Sequence, residues 1–327
     1  MMHGFKLFYS FGAGLLLSLG VWLLLLKSTS SNLGMHYATL YNLWNKKVEI
    51  LKNTESPKIV LLGGSNVSFS TKATLIEQEL KMPTVNAGLN AATSFDFLTW
   101  LAKPYLNSGD ILLMPLEYNF YRDNYTFIAN TDKHFATGPY DDYLKSKSLR
   151  HYLRIILSIS YMEMIERIVN GQNIHGKTAN FTRELSNRGD VINNLSSFQN
   201  QKQKQDITKT LLKEFTGQVK IDEKSATWTQ IKHFVEWCSN NNVTVVFAWP
   251  SLCNRSAYAS YESFAKLPKL IEEFMNKSKI TLLGNHTDNL YPEHMFFDTM
   301  YHMNSDGAKI RTRYIIKELK KELSAIL

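Results

Sequence analysis

Short apolar runs alternate along the chain with longer segments whose apolar residues recur at helical spacing. The runs are Lys58–Gly63, Thr84–Asn86, Asp110–Leu116, Val243–Ala248 and Lys279–Leu283. A short continuous apolar run that ends at glycine or polar residues is typical of a strand buried on both faces of a parallel sheet. Strands that alternate with helices predict an α/β fold with a doubly wound parallel sheet and right-handed crossovers.

Helical spacing marks most of the segments that connect these runs. The predicted helices are Gly34–Asn53, Thr71–Leu80, Ala91–Leu106, Leu149–Val169, Trp228–Cys238, Phe264–Met275 and Asp306–Leu327. The stretch Tyr121–Lys224 interrupts the alternation, because about a hundred residues between consecutive strands are too many for a plain loop. We therefore expect a helical insertion, or cap, that packs over the carboxyl end of the sheet within a domain formed by residues 57–327.

The first thirty residues are predicted to anchor the chain in a membrane. Leu7–Leu26 is an uncharged run of twenty residues, which spans roughly 30 Å as a helix, about the thickness of a bilayer's hydrocarbon core. A cleaved signal peptide is the alternative, but its apolar region is usually about 7–15 residues long. The segment Lys27–Asn32 has no A-x-A-like cleavage site, and no cysteine follows to carry a lipid. The anchor is expected to stay, followed by a helical linker over residues 31–56.

The positive charges near the anchor leave its orientation open. Lys6 precedes the apolar run, and Lys27, Lys46 and Lys47 follow it, so the bias does not clearly favour either side. A short N-terminus before one large domain is typical of a signal anchor. The expectation is a single-pass protein of the bacterial cytoplasmic membrane with its large domain outside the cytoplasm.

Composition narrows the class of partner. The chain has 327 residues, 44% hydrophobic and 20% charged, and its net charge is +8. These fractions are ordinary for a globular protein. The basic residues are scattered without zinc-finger spacing or an aromatic RNA-binding pattern, which argues against nucleic acid and for an anionic membrane or acidic polymer. The two cysteines, Cys238 and Cys253, could pair, but Cys238 also fits the apolar face of a helix as a buried free thiol.

Three segments lie where ligands bind in such sheets, at the carboxyl ends of strands. They are Gly63-Gly64-Ser65-Asn66, Asn86-Ala87-Gly88 and the tail Asp298-Thr-Met-Tyr-His302, which is followed by Met303-Asn304 and Gly307. A serine comes first along the chain, and an aspartate and a histidine come near its end. A serine hydroxyl becomes nucleophilic when an adjacent base takes its proton and a carboxylate orients that base.

These segments resemble the blocks of the SGNH/GDSL hydrolase superfamily. Gly64 stands where that family usually has aspartate, three residues instead of two separate Asp298 from His302, and no G-x-N-D sequence follows the third strand. A more distant resemblance is to the D-alanyl transfer protein of teichoic acid synthesis. The resemblance implies a three-layer α/β/α sandwich of the SGNH hydrolase type, which is flavodoxin-like, and an acyl-ester hydrolase or O-acyltransferase that acts on an acylated envelope polysaccharide or lipid.

The resemblance implies a role for each residue. Ser65 is the expected nucleophile, His302 its base and Asp298 the orienting carboxylate, with Asp306 and Asp288 as substitutes for the last. Ser65 could instead merely cap the following helix, and His302 could be an ordinary loop histidine.

Oxyanion donors are expected from two further positions. Gly88 would offer its N–H and Asn119 its side-chain amide; otherwise Glu117 or Tyr118 takes part in some other way. The strand that ends at Gly63 is expected to be central, with Ser65, His302 and Asp298 converging beside it.

A metal site and a non-catalytic role are the alternatives to this chemistry. The potential ligands His286, Asp288, His294, Asp298 and His302 lie within 17 residues. Their spacing fits no zinc motif, so no metal and no cofactor are expected. The departures from the family blocks favour the second alternative, an inactive binding or scaffold protein on the same fold.

Overall fold

The computed structural model describes residues 2–121, 129–174, 184–200, 202–203 and 226–326. The chain divides into two compact units, one formed by Met1–Asn42 and Asn130–Asn180 and the other by Leu43–Ala129 and Phe181–Leu327. The predicted insertion is therefore split, since residues 184–200 belong with the sheet. Its placement over the sheet stays a prediction, and residues 122–128, 175–183, 201 and 204–224 of it lie outside the described residues.

The second unit is built on a five-stranded parallel sheet. Its strands are β1 (Ile59–Leu61), β2 (Thr84–Asn86), β3 (Ile111–Pro115), β4 (Thr244–Ala248) and β5 (Thr281–Leu283). Their order is β2-β1-β3-β4-β5, and every neighbouring pair is parallel. This confirms the predicted α/β fold and its five strands. The strand before Gly63 is interior, but β3 is the central one, so that part of the expectation was wrong.

The described helices match the predicted segments in part, since those at Ser65–Ser70, Asn130–Ala136 and Asp141–Lys145 were not predicted. They are α1 (Met2–Ser28), α2 (Met35–Asn53), α3 (Ser65–Ser70), α4 (Ala73–Leu80), α5 (Phe95–Ala102), α6 (Asn130–Ala136), α7 (Asp141–Lys145), α8 (Leu149–Leu157), α9 (Tyr161–Val169), α10 (Ala226–Asn240), α11 (Glu262–Lys277) and α12 (Ser305–Ile326). Shorter 3-10 turns occupy Lys103–Tyr105, Tyr118–Tyr121, Ser196–Phe198, Ser256–Ser260, Thr287–Asn289 and Glu293–Met295. Two-residue strands pair Asn32–Leu33 with Gln172–Asn173 and Leu252–Cys253 with Leu290–Tyr291.

Helices cover both faces of the sheet. One face packs Ile59, Leu61, Ile111 and Leu113 against α3, α4 and α12 in a single buried cluster. On the other face, α5, α10 and α11 meet through aromatic contacts, with Phe95 against Phe234 and Trp228 against Phe274. The alternation of side chains along each strand sends neighbouring residues to opposite faces, which is why the strands read as continuous apolar runs.

The first unit holds α1, the start of α2 and α6 to α9. Among the described residues, α1 is the one helix long and apolar enough to cross a membrane, over Tyr9–Ser28. Leu149–Val169 was predicted as one helix, and this was wrong. The helix breaks at Ser158–Ser160, because Ser160 and Glu163 form a capping box that starts α9.

Candidate functional site

The segment after β1 places Ser65 at the first position of α3. Gly63 and Gly64 are buried, and Ser65 is half-buried. A Cβ on Gly63 would lie 2.5 Å from Cγ2 of Val67, so glycine lets the chain turn directly from strand to helix. The site lies at the carboxyl ends of β1 and β3, where the strand order reverses, which is the usual place for ligands in such sheets.

A buried carboxylate from the end of β3 caps α3. Glu117 is fully buried and accepts hydrogen bonds from Gly64 N at 3.1 Å and Asn66 N at 2.7 Å. Burial raises the pKa of Glu117, while the hydrogen bond from Asn66 N lowers it. Glu117 thus holds the N–H groups on both sides of Ser65.

The same carboxylate explains why residue 64 is glycine. A Cβ on Gly64 would lie 2.4 Å and 2.6 Å from the two Glu117 carboxylate oxygens. The Glu117 carboxylate therefore occupies the space that a side chain at residue 64 would enter.

The histidine and aspartate of the last block are joined. His302 Nδ1 lies 2.6 Å from Asp298 Oδ1, and Thr299 Oγ1 accepts a hydrogen bond from His302 N. Phe296 and Met303 form an antiparallel bridge, and Phe297 N donates to His302 O. Asp298–Tyr301 is therefore the tip of a hairpin-like loop.

The loop that carries His302 is bound to α3. Ser70 Oγ donates to Tyr301 O at 2.7 Å and accepts from Met303 N at 2.9 Å. These bonds fix the backbone on both sides of His302. The imidazole ring stacks on Phe69, with ring centroids 4.2 Å apart and planes 7° from parallel. Phe69 lies one helical turn after Ser65, and residues four apart share a face of a helix, so His302 lies beside the Ser65 face of α3.

Ser65 Oγ makes no hydrogen bond to His302 within the described residues. In the same part of the chain, Nε2 of His302 has no hydrogen-bond partner. The Ser65 N–H likewise makes no hydrogen bond there, whereas the N–H groups of Gly64 and Asn66 bind Glu117. Catalytic hydrogen bonds are often long or unformed without substrate. The Ser65–His302 bond stays a prediction.

The two predicted oxyanion donors are engaged elsewhere. Gly88 N donates to Asn86 Oδ1 at 3.1 Å, and Asn119 Nδ2 donates to Ala91 O at 2.9 Å. Gly88 is glycine because α3 passes close by, since a Cβ there would lie 2.5 Å from Ser68 N. The oxyanion roles of Gly88 and Asn119 stay predictions, and for Gly88 the role requires its present hydrogen bond to be exchanged.

Several buried polar residues support the site and were not predicted from the sequence. Asn66 Nδ2 donates to Ser251 Oγ, at 2.7 Å, and to Tyr301 O, at 2.9 Å. It thereby ties α3 to the loop after β4 and to the His302 loop. Arg311 on α12 is buried and donates to Ser70 O and Trp249 O. The position of Asn66 directly after Gly63-Gly64-Ser65 was a sequence signal for its role. No local sequence feature indicated that Arg311 is buried.

Lys47 holds the second block in place. It is fully buried, and its Nζ donates to Gly88 O at 2.6 Å, Ser68 Oγ at 3.2 Å and Asn86 Oδ1 at 3.3 Å. The sequence carried a signal for it. Lys47 is three and four residues from Trp44 and Leu43, on the apolar face of α2, where a charged residue needs a buried partner.

The remaining candidates lie apart from this pair. Asp288 accepts a hydrogen bond from Tyr314, and Asp306 pairs with Lys309, so neither replaces Asp298. In the part of the chain that the structure describes, no group of three or more His, Cys, Asp or Glu side chains is arranged to hold a metal ion. Cys238 and Cys253 are free and buried, which agrees with the predicted buried thiol. Burial raises their pKa values to about 12 and about 11.

Comparison with known proteins finds little similarity. No protein-family model matches the chain, and no curated protein matches it. Among solved structures, the chain is similar to a protein from Desulfitobacterium hafniense DCB-2 that is described as lipolytic and of the G-D-S-L family. The two share 12% identity with a TM-score of 0.37, over 80% of this chain and 99% of the other. The function is therefore inferred from the geometry of this chain's own residues.

Proposed function

We propose that this protein is an acyl-ester hydrolase or O-acyltransferase that works through an acyl intermediate on Ser65. One observation carries the proposal. The His302–Asp298 pair, 2.6 Å apart, is held by hydrogen bonds and ring stacking against the short helix that begins at Ser65. A histidine oriented by a carboxylate beside a serine at a strand-to-helix turn is the arrangement that nucleophilic acyl transfer needs.

The chemistry assigns one task to each side chain. Asp298 accepts the Nδ1–H of His302, so Nε2 carries the lone pair that takes a proton. Ser65 Oγ attacks the acyl carbonyl carbon while its proton passes to Nε2. The bond to the leaving alkoxide then breaks, and that oxygen takes the proton from Nε2. Water or a sugar hydroxyl next attacks the acyl-Ser65 carbonyl by the same route and regenerates the serine.

The negative charge that develops on the carbonyl oxygen needs donors. In the proposed mechanism, the Ser65 N–H is the first donor, since it makes no hydrogen bond within the described residues. Gly88 N–H and Asn119 Nδ2 are the second and third donors in the proposal. Glu117 takes no proton in these steps; it fixes the backbone around Ser65 through Gly64 and Asn66.

The proposed substrate is an acylated polysaccharide or lipid of the bacterial cell envelope. Helix α1 has the length and apolar character of a membrane span, and the proposal places the catalytic unit outside the cytoplasm. The steps above require no cofactor and no metal. Whether water or a hydroxyl accepts the acyl group changes only the second half of the reaction.

The test uses the full chain, purified in detergent, on short-chain nitrophenyl esters. Ser65→Ala and His302→Ala should each remove nearly all ester cleavage, and the double variant should be little worse than either alone, because the two residues act as a unit. Ser324→Ala is the matched control at an exposed serine of α12 and should leave the rate unchanged. Cleavage that survives Ser65→Ala in folded protein would contradict the proposal.

A specific observation also favours a second candidate, a non-catalytic binding or scaffold protein on this fold. The buried Glu117 carboxylate takes two N–H groups beside Ser65, and Gly88 N–H is bound to Asn86. Folded wild-type protein that cleaves no ester, and whose Ser65 reacts with no serine-directed probe, would support this candidate over the enzyme.

A further inference from the structure

Two consecutive helices of the first unit expose apolar stripes to their surroundings. The residues are Leu149, Tyr152, Leu153 and Leu157 on α8, and Tyr161, Met162, Ile165, Ile168 and Val169 on α9. Leu149, Met162 and Val169 are each more than 70% exposed. Spacings of three and four residues put each set on one face of its helix. Large contiguous apolar patches are rare on soluble surfaces and mark contact with a membrane or a partner.

The opposite faces of these helices already have partners within the unit. Ile155 of α8 and Met164 of α9 are buried. Arg167 of α9 is buried too, where its guanidinium donates to Thr137 Oγ1 at 2.8 Å and lies 3.1 Å from His134 Nδ1. The exposed stripes are therefore not the core-facing sides of the helices, and folding of the unit leaves them uncovered.

Helix α9 packs directly on the apolar helix α1. Trp22 Nε1 donates to Ile159 O at 3.1 Å, and Tyr161 OH donates to Ser18 O at 2.9 Å. Ser18 lies ten residues before the end of the candidate span Tyr9–Ser28, which is about 15 Å along a helix axis. The turn between α8 and α9 therefore lies beside the middle of the span.

The turn satisfies its own polar groups, as a segment at membrane depth must. Ser158 N and Ile159 N donate to carbonyls of α8, and Ser160 N donates to Glu163 Oε2. Glu163 also pairs with Lys133 at 2.5 Å. These backbone and side-chain groups of the turn therefore have hydrogen-bond or ion-pair partners within the protein.

A cleft of about 780 Å³ opens between α1 and α8. Its walls are mainly apolar and include Leu19, Leu23 and Leu26 from α1 with Leu153, Ile156 and Leu157 from α8. The volume is within the range of about 300–1,000 Å³ that is usual for small-molecule sites. Lys27, directly after the apolar stretch of α1, is part of the lining.

We propose that α8 and α9 form a re-entrant helical hairpin in the leaflet that holds the C-terminal half of α1, with lipid acyl chains along the exposed stripes and in the cleft. The proposal rests on the proposed anchoring through α1. The bilayer is the occupant because residues of the α8 stripe share the apolar cleft with the span itself, and α9 packs directly on the span. Exposed Arg150 and Arg154 border the α8 stripe, where basic side chains reach anionic head groups while their stems stay in apolar surroundings.

The test measures the surroundings of single labelled sites in the full chain. Leu157→Cys and Met162→Cys are introduced into a chain whose buried Cys238 and Cys253 are replaced by alanine, labelled with the fluorophore NBD, and reconstituted in vesicles of phosphatidylethanolamine and phosphatidylglycerol. Lys317→Cys, an exposed site on α12, is the control. Quenching by lipids with a nitroxide on the acyl chain is compared with quenching by aqueous iodide, after flotation has shown which protein is membrane-bound.

The proposal predicts that both stripe sites lose fluorescence to nitroxide lipids and resist iodide, with the reverse at the control. Flotation with iodide quenching at Leu157 and Met162 would overturn the hairpin while leaving the anchor and the proposed enzyme intact. Protection from both quenchers would show that a second copy or another protein covers the stripes, and would also overturn it. Failure to float would remove the anchor on which the hairpin rests, without bearing on ester cleavage.

Discussion

The pairing of Gly64 with Glu117 makes a quantitative prediction about stability. In Gly64→Ala, the new Cβ would lie 2.4 Å and 2.6 Å from the Glu117 oxygens, whereas an unstrained carbon–oxygen contact is about 3.3 Å or longer. The carboxylate must therefore retreat by roughly 0.7–0.9 Å, judged from the same contact distance. It is fully buried and holds two backbone N–H groups, so the retreat strains both hydrogen bonds.

The expected cost follows from these two effects. Overpacking a close-packed interior costs about 1–3 kcal/mol, and a hydrogen bond to a charged group contributes about 1.5–3 kcal/mol. Partial loss of the two hydrogen bonds, together with residual strain, should lower the free energy of unfolding by about 3–5 kcal/mol in Gly64→Ala. Urea denaturation of the detergent-purified chain, followed by tryptophan fluorescence, measures the change. Gly20→Ala is the matched control, since an added Cβ there meets nothing within 4 Å.

A swap of the carboxylate distinguishes this explanation from general intolerance at residue 64. Gly64→Asp alone brings a second carboxylate against Glu117 and should be the least stable single variant. Gly64→Asp combined with Glu117→Ala moves the acceptor to the aspartate and should recover at least about 2 kcal/mol relative to Gly64→Asp, a coupling expected only for residues in contact. A stable Gly64→Ala, or a swap no better than Gly64→Asp alone, would show that the Glu117 carboxylate does not set the size of residue 64.

Three further changes test the rest of the site. Asp298→Asn should lower the rate of ester cleavage by about 10²–10⁴-fold, because His302 loses the group that fixes its tautomer; a smaller loss would reassign the aspartate. Burial lowers the pKa of His286 from 6.5 to about 4. Between these two pH values the unfolded chain binds more protons than the folded chain. The free energy of unfolding should therefore fall by roughly 2–3 kcal/mol as the pH drops from 6.5 to 4. In urea titrations at several pH values, His286→Phe should show a smaller dependence of the unfolding free energy on pH. Lys47→Met should lower the free energy of unfolding by about 2–4 kcal/mol, because Gly88 O and its neighbours lose a buried charged donor. Thermal unfolding should show no comparable loss of stability for Lys52→Met at an exposed position.

The sheet was predictable from the sequence because a strand that is buried on both faces is a continuous run of apolar residues. Each of the five strands lies inside a predicted apolar run. Helices α2, α4, α5, α10, α11 and α12 begin and end within a few residues of the predicted bounds, whereas the short helix α3 was not predicted. The sequence also contains a signal for the break between α8 and α9, the Ser160–Glu163 capping box. The signal was missed because apolar residues recur at helical spacing on both sides of the break. Local periodicity thus predicts which elements exist better than where they end.

The site was only partly predictable, for a physical reason. Ser65, Asp298 and His302 lie just after strands or just before a helix, where the sequence and its resemblance to a known family could single them out. The role of Glu117 depends on two strands meeting side by side, and that of Lys47 on a helix packing against the second block. Spacing along α2 places Lys47 on the apolar face of the helix, but only the tertiary fold decides which groups it and Glu117 bind.

The most direct test of the central claim is covalent labelling of Ser65. The folded full-length chain is treated with a fluorophosphonate, which reacts with serines activated by an adjacent base, and the modified peptide is identified by mass spectrometry. We expect labelling on Ser65 in the wild type, none in Ser65→Ala, a strong loss in His302→Ala and full labelling in Ser324→Ala. Folded wild-type protein that stays unlabelled at Ser65, or labelling equal in the His302→Ala variant, would contradict the claim that Ser65 is a nucleophile activated by His302.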